Sequence, residues 1–187
     1  NTAGENLAAP ETRWKERLVK LDEYVRNLQS DLDNVSPERK QMRKELYDCC
    51  RNVFITEPLV YCDRPVGTGK TTAVMAYMLW LAAEKYLRHI FVILPYTNII
   101  SQTVKVLRKA LVLDGENPQE IIAEHHHQAD FESIELRHLA STWTAPIIVT
   151  TAVQFFETLA ARQPSKLRKL HQLPGSGVIV DESHASL

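Results

Sequence analysis

From Leu59 to Asp181, short apolar runs recur at Leu59–Cys62, Ile90–Leu94, Ile121–Glu124, Ile147–Thr150 and Val178–Asp181. Helically spaced segments separate them, starting at Lys70, at Asn98, around Phe131–Ala140 and at Val153. Five strands joined by helical crossovers predict an α/β domain with a mostly parallel β-sheet and helices on both faces. Ahead of it, Trp14, Leu18, Leu21, Val25, Leu28 and Leu32 alternate spacings of four and three, which predicts a helix with one apolar seam over residues 11–33. Asn34-Val35-Ser36-Pro37 breaks that pattern, with Ser36 as cap and Pro37 as first residue of a second helix running to about Cys50. Residues 1–50 are therefore expected to form a helical connector or appendage, and residues 51–187 the main domain.

Composition narrows the setting more than the chemistry. The chain has 187 residues, with 22 basic and 23 acidic side chains and a net charge of −1, so a nucleic-acid contact would have to be local to one face. No apolar run approaches a membrane span, which predicts a soluble protein with no membrane partner. Three cysteines, with Cys49 and Cys50 adjacent, make no disulfide framework and fit reduced thiols in a cytoplasmic location.

The chemistry begins in the stretch Leu59 to Thr72, which reads as a buried strand, a glycine loop and a helix start. Gly67 and Gly69 free the backbone to curl so that successive N–H groups point inward, and Lys70 adds a charge beside the outer phosphates. Val66, Gly67, Thr68, Gly69, Lys70, Thr71 and Thr72 are the expected phosphate cradle, with the Thr71 hydroxyl placed to serve Mg²⁺. One position is irregular, because Arg64 stands where the phosphate-loop pattern asks for glycine. A second apolar run, Gly177-Val178-Ile179-Val180, ends in Asp181-Glu182. In phosphate-loop NTPases an Asp at the end of a neighbouring strand holds Mg²⁺ and an adjacent Glu polarises the attacking water, roles that Asp181 and Glu182 fit. The catalytic set is thus Lys70, Asp181 and Glu182, with Thr71 and Asp181 at the metal. Alone, each motif has a blander meaning: a chance turn, or a solvated acidic pair after a strand.

Several motifs in order resemble the superfamily 2 helicases, and within them the helicase-nuclease of type I CRISPR systems. Arg64-Pro65-Val66-Gly67-Thr68-Gly69-Lys70-Thr71 is similar to helicase motif I, and Asp181-Glu182-Ser183-His184 to the motif II box, with Ser183 where many members have Ala. Leu94-Pro95-Tyr96-Thr97-Asn98-Ile99-Ile100-Ser101-Gln102 resembles segment Ia, and Thr150-Thr151-Ala152-Val153-Gln154-Phe155-Phe156-Glu157 segment Ic. Glu124-His125-His126-His127 resembles a Glu-His-His-Ser stretch of the same family. The resemblance covers roughly residues 36–187.

The resemblance implies the first RecA-like lobe of a P-loop NTPase that binds ATP and Mg²⁺ and drives 3′ to 5′ movement on single-stranded DNA. It also implies an RNA-guided CRISPR surveillance complex as partner, and an HD nuclease domain and second helicase lobe outside this chain. Pro95, Tyr96, Thr97, Asn98, Gln102, Thr150, Thr151 and Gln154 would grip the DNA backbone without reading sequence. For each Thr, the alternative is a strand-end or cap residue. Gln41 lies where a Q-type motif could read adenine, though its flanks match that motif poorly. Lys105, Arg108 and Lys109 form either a basic patch or a solvated helix face. His125-His126-His127 is not read as a metal site, because three consecutive side chains point in different directions and cannot meet one ion.

No motif III, second lobe, arginine finger or HD pair is found, so the chain is expected to be a first-lobe fragment that does not turn over ATP alone. Two other readings stay open: the motor lobe of another superfamily 2 translocase, such as a restriction subunit, and a non-motor module docking through the Trp14-to-Leu32 seam.

Overall fold

The computed structural model describes residues 10–30, 36–64, 67–125, 143–160 and 169–181. Four strands form one sheet in the order β2-β3-β1-β4, comprising β1 (Ile90–Leu94), β2 (Ile122–His125), β3 (Ile147–Thr151) and β4 (Gly177–Val180). All pairings are parallel, with Ile90 opposite Ile147 and Gly177, and Ile122 opposite Ile147.

Parallel strands need crossovers, and helices supply them: α3 (Lys70–Lys85), α4 (Thr97–Leu111), the short α5 (Pro118–Ile121) and α6 (Ala152–Leu159), preceded by α1 (Trp14–Ser30) and α2 (Pro37–Asn52). Strand alternation splits the core between two faces. Ile90, Val92, Leu94, Ile147 and Val149 pack with α1 to α4, whereas Phe91, Ile93 and Ile148 pack with Trp143, Ala145, Ala152 and Phe155. The sheet is thus covered on both sides, as expected of a RecA-like lobe.

Helix α3 is wedged between the sheet and α1 and α2. Its Ala73, Met75, Ala76, Tyr77, Met78, Leu79 and Ala82 are buried, a face too wide for a surface helix. From outside, α1 covers it with Trp14, Leu18, Leu21 and Val25. Trp14 Nε1 donates to the Leu87 carbonyl at 2.7 Å, so the indole gains both burial and a partner. The first four residues of the apolar seam are thus buried within the domain, while Leu28 stays exposed and Leu32 lies outside the described residues. Helix α2 starts on Ser36, whose hydroxyl accepts from Arg39 N–H, with Pro37 in the first turn. Tyr47 on α2 donates to Asp22 at 2.7 Å and Arg51 pairs with the same carboxylate at 3.1 Å, tying α2 to α1. Over its described residues, the segment expected as a connector is therefore packed into the core of the main domain.

Two expectations change. Leu59–Cys62 forms no strand; Leu59 and Tyr61 are exposed, and the backbone instead follows α2 and α3, with Phe54 against the Trp80 ring and Tyr77 donating to Ile55 O at 2.8 Å. Cys62 packs beside Cys50 rather than in the sheet. The second difference is at Ile121, which closes a helical turn capped by Asn117, so β2 begins one residue later. The helix expected around Phe131–Ala140 lies outside the described residues.

Candidate nucleotide site and nucleic-acid edge

Glycine at 67 and 69 is demanded by backbone conformation, since their φ angles are +82° and +78°. A Cβ at Gly67 would meet nothing within 4 Å, so torsion, and not crowding, requires glycine there. Gly69 is the N-cap of α3 and offers no side-chain acceptor; the first helical bond runs from Ala73 N–H to Gly69 O at 3.1 Å. The first-turn N–H groups of α3, including that of Lys70, therefore face the loop, where the helix dipole favours an anion. Thr68 is buried, while Lys70 and Thr71 are half-buried. Thr72 donates its hydroxyl back to Gly69 O at 2.9 Å, which leaves Thr71 as the first-turn hydroxyl suited to a cation. Arg64 is exposed; Pro65 and Val66 lie outside the described residues.

Topology brings the acidic motif to the same edge. Helix α3 returns through Tyr86–His89 to the start of β1, so its own start, with Lys70, stands at the carboxyl end of the sheet. Strand β4 runs parallel to β1 and delivers Asp181 to that end, where Asp181 N–H donates to Ile93 O at 3.0 Å. Ligands in open α/β sheets gather there. A threonine hydroxyl and an aspartate carboxylate are the hard oxygen donors that Mg²⁺ takes, so Thr71 and Asp181 fit that ion. Glu182, Ser183 and His184 lie outside the described residues.

The nucleic-acid candidates divide by what their polar atoms already do. Tyr96, Thr97, Asn98 and Gln102 are exposed where β1 passes into α4, and Pro95 is half-buried beside them. Nearby, Ser101 donates to Glu124 at 2.9 Å, which fastens α4 to β2.

Thr150 matches the strand-end alternative: it is fully buried, and its hydroxyl donates to His125 O at 2.9 Å, joining β3 to the end of β2. Thr151 is likewise buried and caps α6, its hydroxyl accepting from Gln154 N–H at 3.2 Å. Both hydroxyls build the edge rather than face solvent, because burial leaves a polar group to find its partner inside the protein. Gln154 itself is half-buried in the first turn of α6.

His125 lies edge-on to Trp143, and Lys169 Nζ stands 3.1 Å from its Nε2 and 5.2 Å from the Trp143 ring centroid. His126 and His127 lie outside the described residues. In the suggested basic patch, Arg108 is held to Ile122 O at 2.9 Å, whereas Lys105 and Lys109 are exposed.

One loop contact escaped the sequence reading. Arg43 on α2 donates through Nε to Gly67 O at 3.1 Å. Gln41, the adenine candidate, is instead exposed and bonded to Glu45 at 2.7 Å.

A glycine loop, a lysine at a helix start and an aspartate at the end of a parallel strand define a phosphate-loop nucleotide site on a RecA-like sheet. The chain belongs to the DEAD/DEAH box helicase family, whose profile matches residues 36–187. Helicases of this family use ATP, typically with Mg²⁺, and act on nucleic acid. The chain is thus a helicase-like ATP-binding lobe. It is 25% identical over 196 aligned residues to a CRISPR-associated nuclease/helicase Cas3 of Haloferax volcanii, an alignment covering 88% of this chain and 21% of that protein. The chain therefore spans about a fifth of the length of the curated relative it matches. Among the described residues no helix is long and apolar enough to cross a membrane.

Proposed function

We propose that this chain is the first motor lobe of a CRISPR-associated DNA helicase that couples ATP hydrolysis to 3′ to 5′ movement on single-stranded DNA in the cytoplasm. The observation that carries the nucleotide part is the convergence of Lys70, at the start of α3, and Asp181, at the end of β4, on one sheet edge. The loop amides and Lys70 bind the phosphates, and Glu182 orients the attacking water. Mg²⁺, held by Thr71 and Asp181, would offset phosphate charge there. Similarity to the CRISPR-associated nuclease/helicase of Haloferax volcanii supports the CRISPR assignment, as does the Tyr96-to-Gln102 segment at the same edge.

Tyr96, Thr97, Asn98 and Gln102 present ring, hydroxyl and amide groups to the DNA backbone, with Pro95 shaping the turn and Gln154 offering a further amide. An HD nuclease domain, a second helicase lobe and an RNA-guided surveillance complex are the partners of this lobe. Because the second lobe supplies the group that stabilises transition-state charge, the lobe alone binds ATP weakly and does not turn it over.

The test is DNA-stimulated ATPase activity, measured for the intact protein and for this 187-residue lobe. Activity in the intact protein, its loss in Lys70→Ala and its absence from the lobe are expected. ATPase activity of the lobe alone would refute the two-lobe requirement; nucleotide binding undiminished by Lys70→Ala would refute the site.

A further inference from the structure

We infer that Arg43 is a positioning residue of the phosphate loop, holding the Gly67 carbonyl towards α2 so that the amide of the same peptide plane is presented to the nucleotide phosphates. This rests on the ATP-binding reading above. Arg43 lies on α2, 24 positions before Gly67, and reaches the loop from outside the sheet. Its Nε–H donates to Gly67 O at 3.1 Å, and its Cγ would lie 3.9 Å from a Cβ placed on Gly69. The side chain therefore spans both left-handed glycines of the loop.

In a trans peptide the C=O and the following N–H point in opposite directions, and no described peptide is cis. Holding the Gly67 carbonyl towards α2 thus turns the Thr68 amide away from α2. A loop that cradles an anion needs that division, with amides towards the charge and carbonyls away from it. Glycines at 67 and 69 make the loop pliable enough to bend this way, and equally able to flip the plane.

A guanidinium suits the task because it stays charged and donates in a fixed fork. Among the described residues its Nε–H is the donor used on the loop, and α2 is itself secured by buried Leu46 and Tyr47 and by the Asp22 contacts to Tyr47 and Arg51. Arg43 is thereby a prop carried on a packed helix.

The experiment is titration of the intact protein with fluorescent ADP and ATP analogues, comparing Arg43→Ala, Arg43→Lys and Lys70→Ala, with thermal melting of each variant without nucleotide. A lost charge-assisted hydrogen bond that fixes a binding loop is expected to weaken binding roughly tenfold in Arg43→Ala. The loss should be equal for ADP and ATP, partly restored in Arg43→Lys, and accompanied by no change in Tm. A loss confined to ATP would overturn the proposal by placing the arginine on the terminal phosphate, and a fall in Tm that tracks the affinity loss would reduce it to a folding role. Wild-type affinity in Arg43→Ala alongside lost binding in Lys70→Ala would overturn it while leaving the nucleotide site intact. Undiminished binding in both would remove the nucleotide site and the proposal together.

Discussion

Replacing Glu116 by Gln tests whether the clamp between α1 and the end of α4 is as demanding as its burial implies. The Arg17 side chain is fully buried, and Glu116 takes both ends of its guanidinium, Nη1 at 2.7 Å and Nη2 at 3.0 Å. Three carbonyls complete the shell: Thr12 at 2.8 Å, Leu111 at 3.0 Å and Glu11 at 3.2 Å. Breaking a buried pair by removing one charge costs about 3–5 kcal/mol, since the other charge is left without compensation. The carbonyl dipoles remain in Glu116→Gln, so the lower end, about 3 kcal/mol, is expected.

Arg17→Met should cost less, about 1–2 kcal/mol, because the Glu116 side chain keeps 14% exposure and an N–H donor at Leu113. Pairing Arg17→Met with Glu116→Leu should recover most of the loss, since an apolar pair of similar volume avoids the desolvation cost. Urea unfolding followed by far-UV circular dichroism, run as a double-mutant cycle, reads all three. A Glu116→Gln variant within about 0.5 kcal/mol of the parent would refute the argument, because changes that small belong to surface sites. The pH dependence gives a second reading. Burial pushes the Glu116 carboxyl up, but the Arg17 and Leu113 donors outweigh it and hold the group below its usual 4.5. As pH falls, the unfolded chain takes the proton first, so this stabilisation is present above about pH 4.5 and lost as pH falls through the folded value. Glu116→Gln should abolish that part of the acid sensitivity.

Two further predictions concern the sheet edge. Thr150→Val removes the hydroxyl bonded to His125 O and should cost about 1 kcal/mol of stability while leaving single-stranded DNA affinity unchanged; Asn98→Ala and Gln102→Ala should do the reverse in filter-binding and melting assays. Weaker DNA binding by Thr150→Val at unchanged stability would contradict the structural role given to that hydroxyl. Arg64→Ala should retain or improve nucleotide affinity in a fluorescence titration, because Arg64 is exposed beside the loop. A large loss would mean that this arginine has been recruited to the phosphates.

What the sequence announced correctly shares one property, that the signal and its partner lie close together in the chain. Ser36-Pro37 starts α2, the Lys70 helix starts where the glycines end, and Ile90–Leu94 forms β1 with its bounds unchanged. Such signals need only local torsion or a continuous apolar run. Leu59–Cys62 misled because an apolar run says nothing about where a sheet ends; over the described residues β4 occupies an edge, and Val178 and Val180 there are 40% and 43% exposed. Thr150 and Thr151 take the strand-end and cap roles that stood as the alternative: Thr151 caps α6 through Gln154 of its own motif, whereas Thr150 bonds to His125 O, a partner 25 positions away that strand register brings beside it. Arg17 was illegible for the opposite reason. It sits one position from the apolar seam and looks like a solvated residue, while its partner is 99 positions away.

The same distance effect explains why the amino-terminal helices matter to the site. Asp22 on α1 holds Tyr47 and Arg51 on α2, α2 covers α3, and α3 carries Lys70 at the sheet edge. Burial of the Tyr47 ring raises its phenol pKa well above the usual tyrosine range, and the hydrogen bond to the Asp22 carboxylate adds to it, so this link stays protonated at any working pH. Each contact is small against the whole stability of a domain, yet together they leave α3 little freedom to shift relative to the strands that deliver Asp181. A phosphate site divided between a helix start and a strand end needs that rigidity, since a displacement of about 1 Å between its halves costs orders of magnitude in rate. The helices before the glycine loop are thus best understood as the mounting of the site, which accounts for the burial of Trp14, Leu18 and Leu21 against the layer that carries the loop.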